Sequence, residues 1–344
     1  MPKISLTRRD LFRFAASASL VGAATIGPVR PSFAAPLTLR LATSFSNDPN
    51  FSAGRVWYDK FSERLHANCG DEIEVKFFPD SQLGKEADNV GQIRMGVVDM
   101  MLAGPAIWST VAPEIGILEI GYLFKDFAHQ TRVLEGDPEA RKFIDKLFAD
   151  RGSARVLGWS YTLGARNFFT KFPFQSPEDL AGKKIRSLPT PTMIETVKLM
   201  GANPSPMAFG EIYTALQTNV IDGLEHDSPT ILASKFYEAA KHLTLTRHSH
   251  SALAPVISLR SFERIPAKLR DGFLAAANEA NVFERQRALA IEADAIASLQ
   301  KQGVTVAQCD RDKFRERVRP LWKSFVDGLP AVKPLYEAII KAEA

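Results

Sequence analysis

Two arginines, twenty residues apart, are the side chains of this sequence best suited to bind an anion. Arg166 follows Gly164 in the segment TLGARNFFTKFP, and Arg186 ends the run GKKIR shortly before Pro189. A guanidinium group presents a rigid, planar set of donors that fits a carboxylate better than a lysine does. Because burying such a cation is costly unless an anion meets it, the arginines indicate a carboxylate site. Either arginine could instead lie on the surface or pair with a protein Asp or Glu.

Histidines, cysteines and acidic residues give little support for a metal or for catalysis. His248 and His250 lie two residues apart, and the run EHD begins at Glu225, which is too little convergence for a zinc site. Cys69 and Cys309 have no metal or redox spacing, and we expect them to be unpaired. The sequence lacks a Gly-rich phosphate loop, a G-x-S-x-G motif and an H-E-x-x-H pair. We therefore expect no enzyme activity, no cofactor and no metal.

The elements that must position these residues alternate between short β-rich runs and helical runs. Strands are predicted at 38–45, 72–79, 153–161, 223–227 and 251–259, with a helix at 53–67. This rhythm indicates an α/β fold with a largely parallel sheet. Ligands in open α/β sheets bind beyond the carboxyl ends of the strands, where Arg166 and Arg186 are expected.

A sequence echo and a long helix suggest two similar lobes. The segment IRMGVVD at 93–99 resembles LQTNVID at 216–222, and both read as a helix end followed by a strand. Chance convergence of so common a junction is an equally good explanation of the echo alone. The segment 266–302 has no internal proline and predicts a helix of about 50 Å, long enough to lie across two lobes.

The basic residues are concentrated in the N-terminal segment. The chain of 344 residues has a net charge of +4, and residues 1–35 account for all of it. The remainder is neutral, so the charge does not predict a nucleic-acid partner. The run TRRDLFR, an apolar stretch and the small residues SFA resemble a twin-arginine export signal over residues 1–34. An ordinary secretory leader remains the alternative, and both place the mature protein outside the cytoplasm.

Four segments of the mature chain carry a family resemblance. They are PDSQLGKEADNVGQIRMGVVDMM, DLAGKKIRSLPTPT, LMGANPSPMAFGEIYTALQTNVIDGLEHD and SKFYEAAKHLTLTRHS. The chain resembles the extracytoplasmic solute receptors of tripartite ATP-independent periplasmic (TRAP) transporters, the DctP family, over nearly its whole mature length. The resemblance implies a two-lobed periplasmic-binding-protein fold, spanned by a long helix, that closes over an organic acid.

The resemblance also implies roles for individual residues. In the family, the arginine at the position of Arg186 forms the main salt bridge with the ligand carboxylate, and a second arginine falls on Arg166. Phe209 matches an aromatic residue that packs on the ligand, and His226 stands where the family often has an asparagine. Gly104 stands where sialic-acid receptors carry an acidic residue, so sialic acid is disfavoured. The expected ligand-binding residues are Arg186, Arg166, Phe209, His226, Glu225 and Trp159.

The predicted function is therefore that of a periplasmic receptor. It would bind a small organic acid and deliver it to the small and large membrane subunits of a TRAP transporter. The alternatives are an exported periplasmic enzyme and a ligand sensor for a signalling partner. The expected domains are residues 35–162 plus 252–291 for lobe I, and 163–251 plus 292–344 for lobe II.

Overall fold

The structure, a computed structural model, describes residues 35–343 of the chain. The expected signal peptide at residues 1–34 lies outside the described residues. The strands are β1 (Leu37–Thr43), β2 (Ile73–Phe78), β3 (Met100–Ala103), β4 (Ala154–Val156), β5 (Ser160–Tyr161), β6 (Arg166–Thr170), β7 (Lys184–Ser187), β8 (Asn203–Pro206), β9 (Gly223–Asp227), β10 (His242–Ser249), β11 (Ala252–Ser258) and β12 (Thr305–Ala307). The α-helices are α1 (Ala53–Cys69), α2 (Glu86–Met95), α3 (Phe127–Leu134), α4 (Pro138–Gly152), α5 (Pro191–Leu199), α6 (Ile212–Gln217), α7 (Ser228–Ala233), α8 (Leu259–Arg264), α9 (Ala267–Lys301), α10 (Arg311–Gly328) and α11 (Lys333–Ala342).

The strands form two six-stranded sheets. The first has the order β2-β1-β3-β11-β4, with β5 also paired to β11, and the second has the order β12-β10-β6-β9-β7-β8. Strands β1 to β3 are parallel, as are β7 to β9, whereas β6 and β11 run antiparallel to their neighbours. The sheets are therefore less parallel than the sequence pattern predicts. The cause is that β6 and β11 are the strands by which the chain enters one sheet from the other.

Three connections join the two sheets. The chain crosses between Tyr161 and Arg166, and it returns between Ser249 and Ala252. The third connection is α9, whose 35 residues span about 52 Å and pack against α1 beside the first sheet and α7 beside the second. The predicted long helix is thus confirmed, and it contacts elements on both sides.

An apolar core fills the space between each sheet and its helices. Beside the first sheet, Trp57 and Phe61 of α1 stack on each other, and Phe61 meets Phe273 of α9 edge to face. Beside the second sheet, Leu216 and Leu224 are fully buried in a separate cluster. Each such side chain contributes roughly 1.5–3 kcal/mol on burial, so the cores hold the strand ends firmly in place.

The sequence echo corresponds to one structural unit in each sheet. Gly96 and Asn219 both adopt the left-handed conformation after a helix, with φ of 72° and 60°. Three residues later, Asp99 and Asp222 each accept a hydrogen bond of 2.8 Å from a backbone N–H of the neighbouring parallel strand. The same helix-to-strand junction therefore leads into β3 of the first sheet and β9 of the second.

The division into lobes stays a proposal. The chain passes from one sheet to the other near Thr162 and Ser251, where the expected boundaries lie. Helix α10 packs against α5 and β10, which belong to the second half. However, α11 packs against α3 and α4 beside the first sheet, and His129 Nε2 lies 2.7 Å from the carbonyl oxygen of Ile339. We therefore propose the expected boundaries with α11 moved from lobe II to lobe I.

Two further observations bear on the class of protein. Within residues 35–343, no helix combines the length and the apolar character needed to cross a membrane. Cys69 is buried and Cys309 is half-buried, and both are free thiols.

Candidate functional site

A cavity lies between elements of the two sheets. Elements of the first sheet contribute six lining residues: Ser44, Phe45, Glu86, Gly104, Ala106 and Glu119. Elements of the second sheet contribute five: Arg166, Leu188, Met193, Phe209 and His226. The crossing segments contribute Thr162 and Ser251. Ser44, Gly104 and Leu188 directly follow β1, β3 and β7, so the cavity lies at the carboxyl ends of parallel strands, as expected for an open α/β sheet.

Arg166 lies in the cavity wall and is held by Glu225. The residues face each other diagonally on β6 and β9, because Arg166 pairs with Asp227 in the register of the sheet. Arg166 Nη2 donates to Glu225 Oε1 at 2.7 Å and to the Glu225 carbonyl oxygen at 3.0 Å, and Nε donates to Oε2. Within residues 35–343, Nη1 of Arg166 donates no hydrogen bond, so one nitrogen of the fork is left for a ligand.

Arg186 is fully buried on β7 and does not lie in the cavity wall. We expected its guanidinium group to face the cleft, but Nε and Nη2 donate to the carbonyl oxygen of Met207 at 3.1 and 2.9 Å. Nη1 is buried without a hydrogen-bond partner among the described residues, 3.9 Å from Glu225 Oε1. Burial lowers the pKa of Arg186 to about 10, and the charge of Glu225 offsets this only in part. Arg186 is therefore a buried cation whose charge is incompletely compensated.

His226 and Phe209 both line the cavity, and their rings meet edge to face at 5.5 Å. His226 Nδ1 lies 2.7 Å from Asp227 Oδ2, which fixes the ring beside the cavity. Burial and the charge of Arg166 lower the pKa of His226, and the Asp227 carboxylate opposes them. The imidazole is consequently neutral near pH 7.

Trp159 and Glu225 do not line the cavity, contrary to the sequence-based expectation. Trp159 is a core residue whose indole meets Phe148 edge to face. Glu225 is fully buried behind the wall, where its carboxylate forms an ion pair with Arg166. Trp159 therefore supports the fold, and Glu225 positions Arg166.

Two carboxylates in the wall, those of Glu86 and Glu119, are not among the residues predicted from the sequence. Glu86 begins α2 and accepts a hydrogen bond of 2.6 Å from the Ser44 hydroxyl. Glu119 ends the 3-10 helix at Pro113–Glu119 and accepts from Ser251 at 2.7 Å and from Ser249 at 3.3 Å. Burial raises the pKa of Glu119 to about 7, and the charge of Arg166 moderates the rise. No local pattern marks Glu119, because its serine partners lie 130 and 132 positions away in sequence.

The cavity wall is chemically divided. Phe45, Leu188, Met193 and Phe209 form apolar surface, whereas the two carboxylates lie with the hydroxyl groups of Ser44, Thr162 and Ser251. Arg166 supplies the positive charge. The arrangement suits a ligand with one anionic group, several hydroxyl groups and an apolar face.

An ion pair crosses the outer mouth of the cleft. Lys85 precedes α2, Glu211 belongs to the 3-10 helix at Phe209–Glu211, and their Nζ and Oε1 atoms lie 2.6 Å apart. Both side chains are about half exposed, at 59% and 49%. The pair joins an element of the first sheet to an element of the second.

His248 and His250 do not both converge with the EHD run at 225–227. His248 Nε2 lies 3.5 Å from Glu225 Oε2, whereas His250 Nδ1 lies 3.3 Å from the Phe124 carbonyl oxygen. Among residues 35–343, no group of three or more His, Cys, Asp or Glu side chains is placed to hold a metal ion.

Several known proteins resemble this chain in sequence. A family model described as bacterial extracellular solute-binding protein, family 7, matches residues 48–328. The 2,3-diketo-L-gulonate-binding periplasmic protein YiaO of Escherichia coli K12 is 31% identical over 289 residues, which are 81% of this chain and 85% of that protein.

Solved structures extend the likeness to the fold. A TRAP periplasmic solute-binding protein from Xanthobacter autotrophicus Py2, with bound β-D-galacturonate, is 31% identical and superposes with a TM-score of 0.81. One from Citrobacter koseri, with bound D-glucuronate, is 29% identical with a TM-score of 0.80. Each alignment covers 88% of this chain and 98% of the other.

Proposed function

We propose a ligand class and a binding mode for this chain, which belongs to the bacterial extracellular solute-binding proteins of family 7. It is a periplasmic receptor that binds a small organic acid and works with the membrane subunits of a TRAP transporter. The proposal is that the acid is a sugar acid and that Arg166 and Arg186 together bind its carboxylate.

The observation that carries the proposal is that two guanidinium groups beside the cavity share a single carboxylate as their ion-pair partner. Arg166 and Arg186 lie on either side of one buried carboxylate, that of Glu225. Nη1 of Arg186 has no partner among the described residues, although a buried donor without a partner is costly. An incoming carboxylate would supply the missing acceptor and the missing negative charge. Contact with Arg186 requires a local shift that opens the wall near Leu188, the next cavity residue along the same chain segment.

The rest of the wall supports a hydroxylated ligand. Glu86 and Glu119 offer acceptors for hydroxyl groups, and Phe209 offers a ring face for the C–H surface of a sugar. The related proteins named above carry β-D-galacturonate and D-glucuronate in their structures or 2,3-diketo-L-gulonate in their name. All three compounds are hydroxylated carboxylic acids of six carbons.

We further propose that the ligand leaves the site chemically unchanged. Glu225 and Asp227, two of the groups that could serve in acid–base chemistry, are occupied by Arg166 and His226. Glucuronate incubated with the protein and then recovered should give an unaltered NMR spectrum, and a new product would argue for an enzyme.

The test of the function is a thermal-shift screen of organic acids, followed by titration calorimetry. Hexuronates and aldonates should raise the melting temperature, whereas methyl glucoside, a neutral sugar, should not. Arg186→Ala should weaken binding of the best acid by about 2–5 kcal/mol, because a buried carboxylate loses its partner.

A matched variant separates this loss from a general charge effect. Arg94 lies exposed on α2, so Arg94→Ala removes the same charge away from the cavity and should leave the affinity unchanged. Equal affinities of the Arg186→Ala protein and the parent protein would remove Arg186 from the site. Failure of every acid to bind would overturn the proposal as a whole.

A further inference from the structure

Glu119 is a buried carboxylate with one free oxygen facing the cavity. The residue is 2% exposed and lines the cavity wall near the crossing segments. Oε2 accepts the hydrogen bonds from Ser249 and Ser251, whereas Oε1 has no hydrogen-bond partner among the described residues. A buried carboxylate oxygen without a donor is destabilising, so a donor from a bound ligand would stabilise this side chain.

The space beside this oxygen belongs to the cavity. Gly104, another lining residue, has no side chain, and a methyl group in its place would lie 3.9 Å from Oε1. Glycine at this position therefore leaves room for a ligand group against the carboxylate.

We propose that Glu119 is a specificity-determining residue whose Oε1 accepts a hydrogen bond from a hydroxyl group of the bound acid. This inference rests on the proposed function, since it assigns the recognition of the hydroxylated part of the same ligand. Glu119 then selects hydroxylated acids over acids of similar size that lack hydroxyl groups, because only the former satisfy its free oxygen.

The charges around Glu119 favour a neutral donor. Arg166 and Glu225 are the charged groups whose fields act on Glu119, and Ser249 and Ser251 donate to it as neutral groups. A ligand ammonium group would lie near the positive charge of Arg166, and a second ligand carboxylate would be repelled by Glu119 itself. A hydroxyl group avoids both penalties.

The arrangement couples binding to a proton. The pKa of Glu119 is raised by burial to about 7, so the carboxyl group is partly protonated in the empty protein at neutral pH. A hydroxyl donor stabilises the ionised form, so an acid with hydroxyl groups should release more of the Glu119 proton on binding than an acid without them. His226 also lines the cavity and takes up a proton if the ligand carboxylate raises its pKa. The number of protons that Glu119 itself releases is therefore the difference in proton release between the parent protein and the Glu119→Gln variant.

The experiment is calorimetry at pH 7 in buffers of different ionisation enthalpy, with D-glucuronate and hexanoate as the probes. The parent protein should bind glucuronate more tightly and release more protons with it than with hexanoate. Glu119→Gln should weaken glucuronate binding about tenfold, change hexanoate binding less than twofold and abolish the difference in proton release. Glu119→Asp, which keeps the acid but shortens it, should fall between the two.

Glu284→Gln is the matched control. Glu284 is also fully buried and also accepts a serine hydroxyl hydrogen bond, but it does not line the cavity. This variant should keep the parent ratio of glucuronate to hexanoate affinity.

The outcomes separate the two proposals. An unchanged affinity ratio in Glu119→Gln, with acids still bound, would overturn the role of Glu119 alone. Tighter binding of D-glucosaminate than of D-gluconate, lost in the same variant, would replace the hydroxyl donor by an ammonium donor. Failure of the parent protein to bind any acid would instead count against the proposed function.

Discussion

At the scale of single residues, Glu225 determines which guanidinium nitrogens of Arg166 and Arg186 can donate a hydrogen bond to another group. Burial by itself would raise the pKa of this carboxyl group, but the charge of Arg166 and the ring of His248 outweigh burial and hold the pKa below its usual range. The carboxylate therefore stays ionised and fixes Nε and Nη2 of Arg166. One nitrogen of Arg166 and one of Arg186 are left without a hydrogen bond among the described residues, and these are the two donors that we propose for the ligand carboxylate.

The variant Glu225→Gln should reduce the free energy of unfolding by about 3–5 kcal/mol at pH 7, because it breaks a buried ion pair. The folded pKa lies below the unfolded value of 4.5, so this stability is present above pH 4.5 and is lost as the pH falls further. Urea unfolding at pH 7, 5 and 3 measures the effect. The difference in unfolding free energy between parent and variant should become smaller toward pH 3. An equal difference at all three pH values would contradict the prediction.

His226 predicts a second pH effect, on affinity. Its pKa is lowered by burial and by Arg166, and a bound carboxylate would raise it again. In the Glu119→Gln background, affinity for glucuronate should therefore increase as the pH falls from 8 to 5. Adding His226→Asn should flatten this profile. The same slope with and without the imidazole would show that another group takes up the proton.

At the scale of elements, α9 holds the first crossing segment through polar side chains. Glu284 accepts hydrogen bonds from the Ser160 hydroxyl and, at 2.8 Å, from the Tyr161 backbone N–H. Asn281 donates to the Leu157 carbonyl oxygen at 2.8 Å and accepts from the Trp57 indole at 2.7 Å. The long helix is therefore hydrogen-bonded to the residues that come just before the first crossing segment.

Glu284→Gln should stabilise the protein more at high pH than at low pH. Burial raises the pKa of Glu284 to about 8 from an ordinary value of 4.5. Its contribution to stability is then fully present below pH 4.5 and declines as the pH rises to 8, by on the order of 4 kcal/mol. Melting temperatures of both proteins at pH 5 and pH 8 give the measurement. A constant difference between the two proteins would show that Glu284 does not titrate as inferred.

The elements also show what sequence could and could not predict. Helix α9 was predictable because 35 residues without proline leave few alternatives, and β9 has the predicted bounds, 223–227. The role of Glu119 was not predictable, because residues far along the chain create its environment. The bonds from Arg186 to Met207 depend on the path of the chain after β8, which the strand pattern does not encode.

At the scale of the whole molecule, the two halves are joined at the mouth of the cleft and also where the two crossing segments meet. Lys85 and Glu211 close the mouth, while Thr162 donates to the Ser251 carbonyl oxygen at 3.0 Å where the crossing segments meet. If the two halves separate to admit a ligand, the exposed Lys85–Glu211 pair favours the closed form, and water and salt weaken that pair.

Glu211→Gln should accelerate ligand release about two- to threefold at low salt, because the closed form loses an exposed ion pair. The difference from the parent protein should disappear in 1 M NaCl, where such pairs are screened. Stopped-flow displacement of glucuronate measures the rate. The Lys60–Glu63 pair within α1 is the control, and Glu63→Gln should leave release unchanged. A persistent difference at high salt would point to a packing effect instead.

The C-terminal segment connects the two halves of the molecule. Helix α10 packs against α5 and β10 beside the second sheet, α11 packs against α3 and α4, and the four residues 329–332 connect the two helices. A wide swing of one half must therefore either bend this short tether or peel α11 from its seat. We expect this connection to limit how far the two halves can separate, so shortening or lengthening it should change the opening of the ligand-free protein without altering any ligand contact.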